Sequence, residues 1–282
     1  MTPPAPTRAW SPTSRSPAAL AWTRIVGMML RHVYVLRRSW PRLLELAYWP
    51  TMQMILWGFI TVFFVEHSSW VARAAGVLVS AVLLWDVLFL GNLALSLSFL
   101  EEIWARNLGQ IFTSPLRPYE MVVSLLILSL ARTLIGVSPA ALLAIPLYDV
   151  SVFKLGPSLV VFFANLLVLG WCVGLIVSGL VLRFGLAAES LAWVVVFMLS
   201  PLSGVYYPIA TLPDWLQPVS WSLPSAYVFE GMRAILFDGV VRFDLLIRAV
   251  GLNVLYLTAS SAFFLYMFHI ARRRGLLLQQ GE

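Results

Sequence analysis

Few residues in this chain could do covalent or metal chemistry, and their spacing argues against both. Its three histidines, His32, His67 and His269, are scattered and fall near the ends of apolar runs, so they assemble neither a metal cluster nor a catalytic dyad. Cys172 is the single cysteine and cannot form an internal bridge. A phosphate-cradling loop needs G-x-x-x-x-G-K-[ST], whereas the one lysine, Lys154, follows Phe153. No cofactor is therefore expected in this chain, and any ATP-driven work must be done by a partner that binds ATP and Mg.

The charged positions that remain form three groups. Asp86 and Arg132 lie deep within apolar runs, where each would cost about 2.5–3.5 kcal/mol at a bilayer centre, so neither should face lipid. Counted from the segment between the runs, Asp86 is fifteen residues from Glu101 and Arg132 twelve from Glu120, roughly 22 and 18 Å of helix rise. The matched depths predict an intramembrane charge pair across the hairpin. Glu230 and Arg233, three apart, predict a second pair on a short helix. The third group is the segment EEIWARNLGQIFTSPLRPYE, from Glu101 to Glu120. In it Trp104, Leu108, Ile111 and Phe112 recur at helical spacing beside polar Glu102, Arg106, Asn107 and Gln110, and the pattern stops at Pro115. This short amphipathic helix is either a connector resting on lipid or a docking element for another protein.

The elements carrying these residues follow from composition. Of 282 residues, 60% are hydrophobic and 11% charged, against about 45–50% and 25% in ordinary soluble domains. A soluble enzyme, a disordered chain and a disulfide scaffold are all excluded. Roughly 20 helical residues cross a bilayer core of about 30 Å, and six stretches suffice: about 46–65, 74–99, 121–147, 157–182, 190–207 and 246–269. They lack barrel alternation, so an all-α membrane protein is expected. With an even number of spans both termini share a side. Most of the nineteen basic residues fall there, from Arg8 to Arg42, at Arg106, Arg117 and Arg183, and at Arg272, Arg273 and Arg274. The positive-inside rule makes that side cytoplasmic, in a cell (inner) membrane, and accounts for the net charge of +6 without nucleic acid.

Residues 1–19, rich in Pro, Ser and Thr, read as a disordered tail without the early apolar core of a signal peptide. Residues 20–45 read as an interfacial amphipathic helix: Trp22, Ile25, Val26, Met29, Val33 and Leu36 lie on one side, and Arg24, Arg31 and Arg38 repeat every seven residues on another, toward lipid phosphates. The transmembrane domain then covers 46–270, followed by a basic tail, 271–282. Between Pro201 and Asp238 the prolines at 201, 208, 213, 218 and 224 break an otherwise apolar, aromatic stretch, which predicts re-entrant helices near a transport route. Trp215 and Trp221 suit interfacial anchors.

Together, the interfacial helix, the six spans, EEIWARNLGQIFTSPLRPYE and PLSGVYYPIATLPDWLQPVSWSLPSAYVFEGMRAILFDG resemble a type-2 ABC exporter permease, of the class that exports drugs, lipo-oligosaccharides and polysaccharides. The resemblance implies a coupling helix within Glu101–Leu116 that docks on a separate nucleotide-binding ATPase subunit through Glu101, Glu102, Trp104, Leu108, Ile111 and Phe112. It implies an outer gate carrying Tyr206, Tyr207, Pro208, Pro213, Trp215, Glu230 and Arg233. A second copy of the same permease would face the first across a substrate route lined by spans one, two and five, with Trp57 and Trp85 as candidate contacts. FTSPLRPYE resembles the drug and lipo-oligosaccharide branch more than the polysaccharide branch. Two other functions fit the residues alone: a secondary transporter with Asp86 as its ion site, and a membrane scaffold that moves nothing.

Overall fold

The computed structural model describes residues 16–38, 40–67, 71–104, 116–188 and 190–274. Among them there is no strand, and the α-helices are α1 Pro17–Arg38, α2 Trp40–His67, α3 Val71–Trp104, α4 Pro118–Tyr148, α5 Ser158–Phe184, α6 Leu191–Leu202, α7 Gln217–Trp221, α8 Pro224–Asp238 and α9 Phe243–Arg273. The protein is all-α, as its hydropathy requires.

Among the described residues, five apolar segments are long enough to cross a membrane: Leu44–Phe63 in α2, Gly76–Trp104 in α3, and α4, α5 and α9. The expected span at 190–207 differs. Its helix, α6, has 12 residues, roughly 18 Å of rise, too short to cross alone. Pro201 lacks the N–H that would extend the ladder, and Gly204 turns the chain at φ 65°, a conformation that favours glycine. The chain then doubles back through a 3-10 turn, Ile209–Thr211, into α7 and α8.

α3 is the axis of the bundle, buried along nearly its whole length and packed against α2, α4 and α5. With lipid as solvent, close van der Waals approach and polar contacts must hold such helices together. At Gly170 a Cβ would stand 2.5 Å from the Leu88 carbonyl, so α5 lies backbone to backbone on α3. Asn92 donates to the Ala192 carbonyl at 2.8 Å, joining α3 to α6, and Ser129 of α4 donates to the Gly91 carbonyl at 2.9 Å. Asn253 of α9 donates to Asn165 Oδ1 at 2.7 Å.

The orientation of α1 reverses the sequence expectation. Ile25, Met28 and His32 form its buried face, whereas Trp22 and Val33 are exposed. Arg24 and Arg31 reach acidic partners on neighbouring helices.

Candidate functional site

Those partners stand at the ends of α3 and α4, either side of the segment 105–115. Arg24 donates through Nε and Nη2 to Glu120 at 2.8 and 2.5 Å, a bidentate pair with a buried carboxylate. The hydrogen bond to Glu120 raises the Arg24 pKa above its ordinary value. Glu120 Oε2 also accepts the Arg117 N–H at 3.0 Å, closing the first turn of α4. One heptad along α1, Arg31 donates to Glu102 Oε2 at 2.7 Å. His32 places Nε2 3.2 Å from Glu102 Oε1 and uses Nδ1 to bond the Met28 carbonyl at 3.0 Å. Because a carbonyl only accepts, Nδ1 carries a hydrogen. Seven residues rise roughly 10.5 Å, close to the 8–10 Å between packed helix axes. The arginine repeat therefore spans two neighbouring helix ends.

Of the residues read as ATPase contacts, Leu108, Ile111 and Phe112 lie outside the described residues. Glu102 faces α1. Glu101 and Trp104 instead line the loop end of a cavity of about 650 Å³.

This cavity lies on the face of α3 that carries Phe89, Leu93 and Leu97, and is completed by α2, by Arg132 of α4 and by Trp193 of α6. Phe89 is at the centre of an aromatic wall, its ring centroid 6.4 Å from that of Trp49 and 5.7 Å from that of Trp193. Glu45 also lines it. Of the residues read as route contacts, neither Trp57 nor Trp85 lines this cavity. Trp85 is 3% exposed in the main core. Trp57 stacks on Tyr206 at 4.7 Å, tying α2 to the turn after α6. Glu45, Trp49, Phe89 and Trp193 border the cavity and were not among the candidate residues. Glu45 carried a signal, being the first acid in the chain and lying just before an expected span.

The expected Asp86–Arg132 pair is not formed. Arg132 donates to Ser98 Oγ at 2.8 Å and lies 3.6 Å from Glu101, whereas both oxygens of fully buried Asp86 lack hydrogen-bond partners. Equal depth was insufficient, because Cβ atoms tilt toward the N-terminus of their own helix. On antiparallel α3 and α4, Asp86 and Arg132 therefore lean in opposite directions, and Arg132 reaches toward the loop end.

The Glu230–Arg233 pair does form, at 3.2 Å, and it organises the turn after α6. Arg233 Nη2 donates to the carbonyls of Gly204, Val205 at 3.1 Å and Tyr207 at 2.9 Å, while Glu230 accepts the Ile209 N–H at 2.8 Å. Buried Ser203 and Ser225 hydroxyls meet at 2.8 Å. The broken backbone of this turn thus has its polar groups satisfied by protein. Tyr207 donates to the Pro201 carbonyl at 2.8 Å, Pro208 and Pro213 open the short turns that follow, and Trp215 stands 74% exposed at the tip.

An all-α bundle with, among the described residues, five membrane-length helices is a multi-pass membrane protein. The family model for the ABC-2 type transporter matches residues 33–237. The chain belongs to that family: it is an ABC transporter permease, the membrane subunit, not itself catalytic. No curated protein matches it significantly.

Proposed function

We propose that the chain is the permease subunit of an ATP-driven exporter, forming the substrate route with a second copy and drawing its energy from a separate ATPase. The observation that carries this reading is the double clamp. α1 is ionically fixed to both stems of the 105–115 segment, through Glu102 before it and Glu120 after it. A force applied to that segment then reaches α3, α4 and α1 together, and α3 is the axis on which the other spans pack. The absence of any phosphate-binding lysine motif assigns nucleotide binding to the partner. In this scheme ATP closes the partner's dimer, the coupling segment moves with it, and the spans shift from inward to outward access; only contacts that differ between the two states can drive the shift. The loop end, with α1 clamped to it, is then cytoplasmic, in the inner membrane, and the Gly204–Ile209 turn is the outer gate.

Copurification with an ATP-hydrolysing subunit tests this. Association should be lost in Leu108→Glu and Phe112→Glu and retained in wild type; retention in both variants would remove the coupling segment from the interface. A second reading, an ion-driven transporter using Asp86, is favoured by one observation, the lack of a hydrogen-bond partner for that carboxylate. Transport dependent on an ion gradient and indifferent to nucleotide would select it.

A further inference from the structure

The lining of the cavity specifies a charge. Glu45, Glu101 and Arg132 all border it, so two carboxylates face one guanidinium. Arg132 lies 3.6 Å from Glu101, while Glu45, exposed at the cavity's edge, has no ion-pair partner among the described residues. Beside these stands the aromatic wall of Trp49, Phe89 and Trp193, whose electron-rich faces attract a cation more strongly once water is excluded. A volume of about 650 Å³ falls in the range of pockets for drug-sized molecules, roughly 300–1,000 Å³. Lipid tails or an uncharged cargo would fill the apolar surface but would give Glu45 no partner.

Asp86 extends the pattern. It precedes Phe89 and Leu90 by three and four residues, so it stands one turn further along the same stripe of α3, away from the loop end. It is fully buried, and neither oxygen has a hydrogen-bond partner.

We propose that the cavity selects apolar organic cations, with Glu45 as the specificity-determining residue at its mouth and Asp86 as the next counter-charge on the outward path. The inference rests on the reading of the chain as the cargo-carrying subunit and adds the class of cargo. A cation leaving the aromatic wall toward the outer turn meets Asp86 one turn on, so its charge is accompanied by carboxylates at both stations.

Tetraphenylphosphonium and tetraphenylborate provide the test, being nearly equal in size and shape and opposite in charge. Saturable binding of each to the purified permease in nanodiscs, above that of empty nanodiscs, is measured without any ATPase. Wild type should retain the phosphonium at least about tenfold more tightly than the borate, a difference that one carboxylate beside an aromatic wall supplies. Glu45→Gln should abolish the preference and Glu45→Lys should reverse it, a gain that a misfolded variant cannot produce. Equal binding of the two ions by wild type, or an unchanged order in Glu45→Lys, overturns the assignment. Asp86→Asn should keep phosphonium binding within about twofold and lose ATP-driven phosphonium export; export at the wild-type rate removes Asp86 from the path. ATP-coupled export of other cargo with no charge preference in binding would defeat the cation assignment alone, whereas selective binding without any ATP coupling would defeat only the exporter reading.

Discussion

Arg233→Leu offers the sharpest energetic test of the outer turn. Nη2 carries two hydrogens, yet the carbonyls of Gly204, Val205 and Tyr207 all face it, so it can make two full bonds and share the remainder. With the Nη1 contact to Glu230 at 3.2 Å, about three bonds from a charged donor are lost. Summed at about 1.5–3 kcal/mol each they would give roughly 4.5–9 kcal/mol, but bonds that share one guanidinium are not additive. Removing one partner of a buried pair costs about 3–5 kcal/mol, and that is the expected loss. Thermal unfolding of the detergent-purified permease reads it, as a fall of at least about 6 °C. Arg233→Lys should fall part way, since a point ammonium cannot reproduce the fork. Arg242→Leu is the control: Arg242 and Asp244 pair at 2.6 Å with their side chains 52% and 51% exposed, so solvent already screens them. Equal unfolding temperatures for Arg233→Leu, Arg242→Leu and wild type would refute the staple.

The remaining predictions concern the clamp and the bundle. Arg24→Glu and Glu120→Arg should each uncouple ATP hydrolysis by the partner from transport, and the double swap should restore coupling because the same two positions again carry opposite charges; failure of the double variant to recover while both singles are impaired would reduce the pair to a folding role. Gly170→Val should unfold at lower temperature and express poorly, with overpacking worth about 1–3 kcal/mol or more, because the clash at 2.5 Å is with backbone. Gly251→Ala, where an added Cβ meets nothing within 4 Å, should behave as wild type in the same unfolding assay.

What the sequence makes legible is whatever the bilayer imposes directly. Long apolar runs locate the helices of α2, α3, α4, α5 and α9, since no other element satisfies its backbone in hydrocarbon. The proline series from Pro201 to Pro224 marks the broken segment, and Glu230–Arg233 is read correctly from its i,i+3 spacing. Azimuth is not legible in the same way. Hydropathy gives the depth of Asp86 and Arg132 but not the opposite lean of their side chains, and so predicts a pair that the helix directions prevent. The heptad of arginines in α1 suits lipid phosphates and buried glutamates equally well on paper. The choice depends on α3 and α4 ending side by side, a tertiary fact. Trp85 and Phe89 differ by four residues, are both aromatic and both lie in the main core, yet only Phe89 also borders the cavity.

The central claim, that this permease moves cargo with energy taken from a separate ATPase, is tested most directly in sealed vesicles containing both subunits. Accumulation of tetraphenylphosphonium should require MgATP and both proteins, and should survive collapse of every ion gradient. Accumulation driven by an imposed gradient in vesicles holding the permease alone, without nucleotide, would contradict the account.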